Sequence, residues 1–166
     1  SSTSRGLGDV YKRQDIDGKN EQILFTSKAP IMSPDWSPDR KKIAYVSFEN
    51  GLAEIFIQDL QSGERDSIQA LGMTNSAPVW SPDGKSLALV VSFSGNPDIF
   101  LYSINNKRLI RLTNHYGIDT EPSWSPDSKK IIFTSDRSGS PQLYEINTKS
   151  KSCLLYTSDA ADEGLG

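Results

Sequence analysis

The chain is poor in the side chains that carry out chemistry. Its 166 residues include one histidine, His115, and one cysteine, Cys153. A lone cysteine cannot form an internal disulfide. One histidine with one cysteine leaves no zinc site, and no other metal or cofactor is expected. The G-x-S-x-G elbow of an α/β-hydrolase is missing. His115 could be combined with Asp119 and a serine into a triad, but in the polar stretch T-N-H-Y-G-I-D-T-E-P it reads as a solvated loop histidine. No apolar run reaches the roughly 18 residues of a membrane-crossing helix. A formal net charge of −3 and a pI near 5.2 argue against a surface that tracks phosphates, so nucleic acid is not an expected partner. Apolar residues at helical spacing are also missing, which excludes a helical repeat.

A repeat is nevertheless present. The only three tryptophans stand 44 residues apart, each opening the same tetrapeptide: Trp36-Ser37-Pro38-Asp39, Trp80-Ser81-Pro82-Asp83 and Trp124-Ser125-Pro126-Asp127. A period in the forties with four short apolar runs per period is the pattern of a β-propeller, one blade per repeat. In the middle repeat, residues 77–80 read as an inner strand and S-P-D-G as a turn. Pro82 has the fixed φ of position i+1, and Gly84 suits i+3. Residues 86–92 form a nearly continuous apolar run, as expected of a strand covered on both faces. Residues 98–104 read as a third strand, and the alternating R-L-I-R-L-T as an exposed outer one. Each tryptophan is expected to pack between adjacent blades. Arg40 and Ser128 stand where Gly84 does, so a left-handed turn there would strain Arg40. The stretch D-I-D-G-K-N, residues 15–20, resembles the start of a calcium loop but has Thr26 where the distal bidentate Glu would stand, and reads as a hairpin turn.

The fold class expected is all-β: a propeller fragment of two whole and two partial four-stranded blades. A closed ring needs at least four blades, or about 170 residues. The flanks fit no repeat. Back-translation of D-V-Y-K-R-Q, residues 9–14, gives a sequence whose reverse complement, shifted by one base, encodes C-L-L-Y-T from Cys153 onward. Residues 1–14 and 153–166 are therefore expected to be translated sequencing adapter, and residues 15–152 the genuine propeller.

The connections T-S-K-A-P-I-M-S-P, A-L-G-M-T-N-S-A-P and T-N-H-Y-G-I-D-T-E-P each end in a proline two residues before the tryptophan: Pro34, Pro78 and Pro122. In a propeller these loops gather round one mouth of the central channel. The residues before the prolines, Ser33, Ala77 and Glu121, vary on a constant frame, which is where recognition resides.

The strings P-I-M-S-P-D-W-S-P-D-R-K-K-I-A-Y-V-S-F-E-N-G and D-T-E-P-S-W-S-P-D-S-K-K-I-I-F-T-S-D-R-S-G-S-P-Q-L-Y resemble the propeller blades of the TolB family, over essentially all of residues 15–152. The resemblance implies a six-bladed propeller behind a small N-terminal α/β domain. It also implies a non-enzymatic adaptor in the periplasm. The propeller mouth would bind the lipoprotein Pal, and the N-terminal region would bind TolA. Some colicins would exploit the same mouth. Outer-membrane integrity and cell division would depend on the adaptor. By motif, the Pal contacts fall on Met32 and Ser33 of M-S-P, Asn75 and Ala77 of N-x-A-P, and Thr120 and Glu121 of T-E-P. The sequence departs from the family at Thr74, where relatives can carry His, and in the loop N-H-Y-G-I-D. W-S-P-D-G is also shared with the accessory propellers of prolyl-oligopeptidase-type serine peptidases, the alternative reading. A lactonase or sialidase propeller would need clustered acidic or histidine ligands, which the sequence does not offer.

Overall fold

A computed structural model describes residues 9–14, 16–68, 74–93 and 95–156. Strands β1 (Asp9–Arg13) and β2 (Gln22–Ser27) pair as a hairpin. Three four-stranded antiparallel sheets follow. The first is β3 (Ile31–Trp36), β4 (Lys42–Ser47), β5 (Glu54–Asp59) and β6 (Arg65–Ile68). The second is β7 (Thr74–Trp80), β8 (Ser86–Phe93), β9 (Asn96–Ser103) and β10 (Arg108–Arg111). The third is β11 (Asp119–Trp124), β12 (Lys130–Ser135), β13 (Gln142–Asn147) and β14 (Cys153–Leu155). Each is a simple meander in sequence order, and the inner strands β3, β7 and β11 are neighbours.

The apolar run of β8 divides cleanly between two interfaces. Leu87, Leu89 and Val91 join Ala44, Val46, Ile55 and Trp80 in the core between the first and second blades. Ala88 and Val90 join Ile131, Phe133 and Ile146 between the second and third. Period-2 alternation thus serves both faces of one strand. Trp80 is 6% exposed within the first of these cores. Trp124 lies against the second, its indole N–H donating to the Val79 carbonyl at 3.0 Å. Trp36 is 37% exposed and lines a cleft against Lys12, Arg13 and Leu24 of the β1–β2 hairpin.

The tetrapeptides form one turn three times over. Ser37 Oγ donates to Asp39 at 2.6 Å and accepts the Lys42 N–H at 2.8 Å, while Asp39 accepts the Lys41 N–H at 3.0 Å. Ser81–Asp83 and Ser125–Asp127 repeat these bonds. The serine hydroxyl is the main cause holding the Asp39, Asp83 and Asp127 carboxyls below their usual range, with the lysine N–H assisting. Asp39 and its counterparts are therefore turn residues. The same end of each four-stranded sheet is closed by a bond from the outer turn to the lysine carbonyl: Leu60 to Lys41, Ile104 to Lys85 and Thr148 to Lys129.

Gly84, Arg40 and Ser128 all adopt positive φ, +70°, +59° and +60°. The strain expected of Arg40 is present. Arg40→Gly is expected to raise stability by a few tenths of a kcal/mol or more, read as a higher melting temperature, since glycine adopts this conformation without a Cβ penalty. A lower melting temperature would contradict it.

Two strands arise in the flanks expected to lie outside the fold. Cys153–Leu155 supplies the outer strand of the third blade, so the blade expected to be partial has four strands. Asp9–Arg13 pairs with β2. Both pair through backbone hydrogen bonds at a sheet edge, which accepts many sequences. Residues 16–20 form the turn of the β1–β2 hairpin, with Gly18 at φ +79° and Asp17 Oδ1 accepting the Lys19 N–H. Asp15 lies outside the described residues.

Candidate functional site at the mouth of the inner strands

Because the sheets are meanders, the loops from outer to next inner strand share one end with the loops between second and third strands. Cross-bonds tie them together. Asn75 Nδ2 donates to the Ala53 carbonyl at 2.8 Å, and Asn96 Nδ2 to the His115 carbonyl at 2.7 Å. This is the mouth end, opposite the Ser-Pro-Asp turns.

Here each inner strand breaks its register at the same place. Met32 pairs with Val46 and Asp35 with Ala44, so Ser33 and Pro34 together oppose Tyr45. Ala77 and Pro78 oppose Leu89 in the second blade, and Glu121 and Pro122 oppose Phe133 in the third. Two residues against one is a β-bulge, which bends the strand and re-aims a side chain. The residue before proline takes left-handed φ each time: +49° at Ser33, +49° at Ala77 and +54° at Glu121. Such a conformation costs on the order of 1–3 kcal/mol for a residue other than glycine and persists where its surroundings over-determine it. Three of the residues singled out by motif are therefore the three bulge residues.

Their neighbours differ in accessibility. Met32, Ser33 and Glu121 are exposed, and Ala77 and Thr120 are half-buried. Glu121 Oε2 accepts the Thr134 hydroxyl at 3.1 Å, which holds the carboxylate beside the bulge. Asn75 is 3% exposed, and its bond to Ala53 makes it a tie between blades. Of Thr74 only the backbone is described. Asp35, one residue after Pro34, reaches across to the second blade and accepts the Trp80 N–H at 2.7 Å. Desolvation pushes its carboxyl up, while the Trp80 and Trp36 N–H groups pull it down.

The approach to Thr120 and Glu121 is rigid. Asp119, fully buried, accepts two bonds from Arg137 Nη2 at 2.9 and 2.7 Å. Arg137 also donates from Nε to Ser135 Oγ and lies over the Tyr144 ring at 4.7 Å. His115 is not the solvated residue the sequence suggested. It is half-buried, its ring centroid lies 4.0 Å from that of Tyr116, and its Nδ1 accepts the Gly117 N–H at 3.0 Å. Ile118 N–H donates to Asp136 Oδ1 at 2.7 Å. A Cβ on Gly117 would stand 2.9 Å from Arg137 N and 3.0 Å from its Cα. Gly117→Ala is thus expected to destabilise by about 1–3 kcal/mol through overpacking against backbone, measured by thermal denaturation. An unchanged melting temperature would show that the loop yields freely.

Cys153 is half-buried on β14, and burial raises its thiol pKa although Arg137 lies against the sulfur. Among the described residues no cluster of three or more His, Cys, Asp or Glu is placed to hold a metal. Among the described residues no helix is long and apolar enough to cross a membrane.

The family model for the TolB β-propeller domain matches residues 8–161. The Tol-Pal system protein TolB of Alkalilimnicola ehrlichii is 51% identical over 63 residues, 38% of this chain and 15% of that relative. The crystal structure of TolB from Acinetobacter baumannii superposes with a TM-score of 0.78 at 44% identity, covering 88% of this chain and 37% of that one. A prolyl endopeptidase shares the fold at 17% identity, with a TM-score of 0.66 over 93% of this chain and 29% of its own. The chain thus spans well under half the length of each of these relatives. The blade repeat, the matched family model and the likeness to a solved TolB agree: this chain belongs to the TolB β-propeller family.

Proposed function

We propose that this chain is part of a non-enzymatic periplasmic adaptor of the Tol–Pal system, whose propeller mouth binds the lipoprotein Pal and so supports outer-membrane integrity and cell division. The observation that carries the reading is the row of bulges: Ser33, Ala77 and Glu121 repeat one strained conformation on neighbouring inner strands. Strain of this kind clusters at ligand clamps. Met32 and Thr120 flank the bulges as further contacts, and Asn75, two residues before Ala77, ties the second inner strand to Ala53 of the first blade. The relatives' membership of the Tol-Pal system supports a partner from that system. TolA would engage an N-terminal domain, and colicins would compete at the mouth.

Glu121 would offer its carboxylate to backbone N–H groups or a cation on Pal. In the complete ring, Glu121→Ala is expected to cost about 2–5 kcal/mol of binding if the pair is desolvated, read by calorimetric titration with soluble Pal. Unchanged affinity would remove Glu121 from the contact surface. The alternative, an accessory propeller of a serine peptidase, rests on likeness of fold alone. Genomic sequencing across both flanks separates the two: further W-S-P-D blades behind a small α/β domain support the adaptor, and an α/β-hydrolase with G-x-S-x-G overturns it. The same reads test the proposal that residues 1–14 and 153–166 are adapter.

A further inference from the structure

The two ends of the blades differ in chemistry. Several large apolar side chains are exposed on the mouth-end loops and strand starts, among them Met32, Phe48, Leu52, Tyr116 and Ile118. At the opposite end, among the described residues of the three four-stranded blades, the Ser-Pro-Asp turns and outer turns expose no large apolar side chain, and Trp36, at the end of β3, is exposed there to 37%. Single exposed apolar residues are ordinary, but a set gathered on one face marks an interaction surface. Tyr116 stands out. It is 83% exposed, yet it belongs to a loop fixed on every side: its ring contacts His115, Asn96 holds the His115 carbonyl, Gly117 abuts Arg137, and Asp136 holds Ile118. A large amphipathic ring on a rigid support makes a binding anchor at low entropic cost.

We propose that loop 114–118 forms a second, apolar part of the partner contact, with Tyr116 and Ile118 as its anchors beside Thr120 and Glu121. The inference rests on the reading of the mouth as a protein-binding site and names the chemistry of the matching surface. Glu54, Glu121 and Asp136 are held by Asn50, Thr134 and the Ile118 N–H, and none of the three forms an ion pair among the described residues. The buried Asp98 and Asp119 take Arg111 and Arg137. The partner surface is therefore a folded protein face with an aliphatic or aromatic patch bordered by cations.

The test is titration of soluble Pal into the complete propeller protein carrying Tyr116→Ser, Ile118→Ser or, on the opposite end, Lys85→Ser. The first two are expected to weaken binding at least tenfold with the melting temperature unchanged, and the third to leave affinity as it was. Tyr116→Ser and Ile118→Ser both within twofold of the wild type, while Glu121→Ala weakens binding, would overturn the loop contact and leave the mouth reading intact. No binding by the wild-type protein would overturn both.

Discussion

Trp80→Ala is expected to lower the stability of the ring by about 3–5 kcal/mol, the cost of deleting a buried aromatic and leaving a cavity. Trp80 is 6% exposed and shares one core with Ala44, Val46, Leu87 and Leu89, so its removal opens the interface between two blades. The indole N–H makes no hydrogen bond among the described residues. Trp80→Phe should therefore lose much less than Trp80→Ala, because it keeps most of the apolar area and surrenders no bond. Trp124→Phe would in addition release the Val79 carbonyl. Thermal denaturation of the three variants reads the comparison. A Trp80→Ala protein that melts within a degree or two of the parent would show that the blades do not depend on this side chain.

Asp119→Ala should be nearly as damaging. Its carboxylate is fully buried and the Arg137 side chain is only 14% exposed, so the variant strands a guanidinium in the interior. Breaking one half of a buried pair costs about 3–5 kcal/mol, whereas replacing both halves by apolar groups costs far less. The double variant Asp119→Leu with Arg137→Met is accordingly expected to be more stable than Asp119→Ala alone. Strict additivity would show that the two groups do not interact. Because Asp119 immediately precedes Thr120, the single variant should also weaken Pal binding, through loss of loop position and not of a contact.

The fold was legible because the tryptophan period, the Ser-Pro-Asp turns and the apolar run of β8 are local patterns enforced by blade stacking. Even the left-handed turn position could be read, since Gly84 occupies in one repeat what Arg40 and Ser128 occupy in the others. The bulges were not legible. Local sterics push the residue before proline toward extended backbone, the opposite of what Ser33, Ala77 and Glu121 adopt. Tertiary pairing opposite Tyr45, Leu89 and Phe133 overrides that preference. The motif picks out these three residues without indicating their conformation. The bond from Asn75 to Ala53 spans 22 residues of sequence, which no local pattern reveals. His115 reads as solvated in the sequence because nothing near it shows that Asn96, 19 residues away, closes on its carbonyl. Edge strands such as β14 are set by an available ladder more than by their own residues, which is why Cys153–Leu155 forms a strand where no repeat was visible.

The most direct test of the mouth as the binding surface is hydrogen–deuterium exchange on the complete protein with and without soluble Pal. Slowed exchange at residues 31–35, 75–79 and 114–123, with the Ser-Pro-Asp turns at 37–41, 81–85 and 125–129 unchanged, is the expected result. Protection confined to those turns, or none at either end, would contradict it.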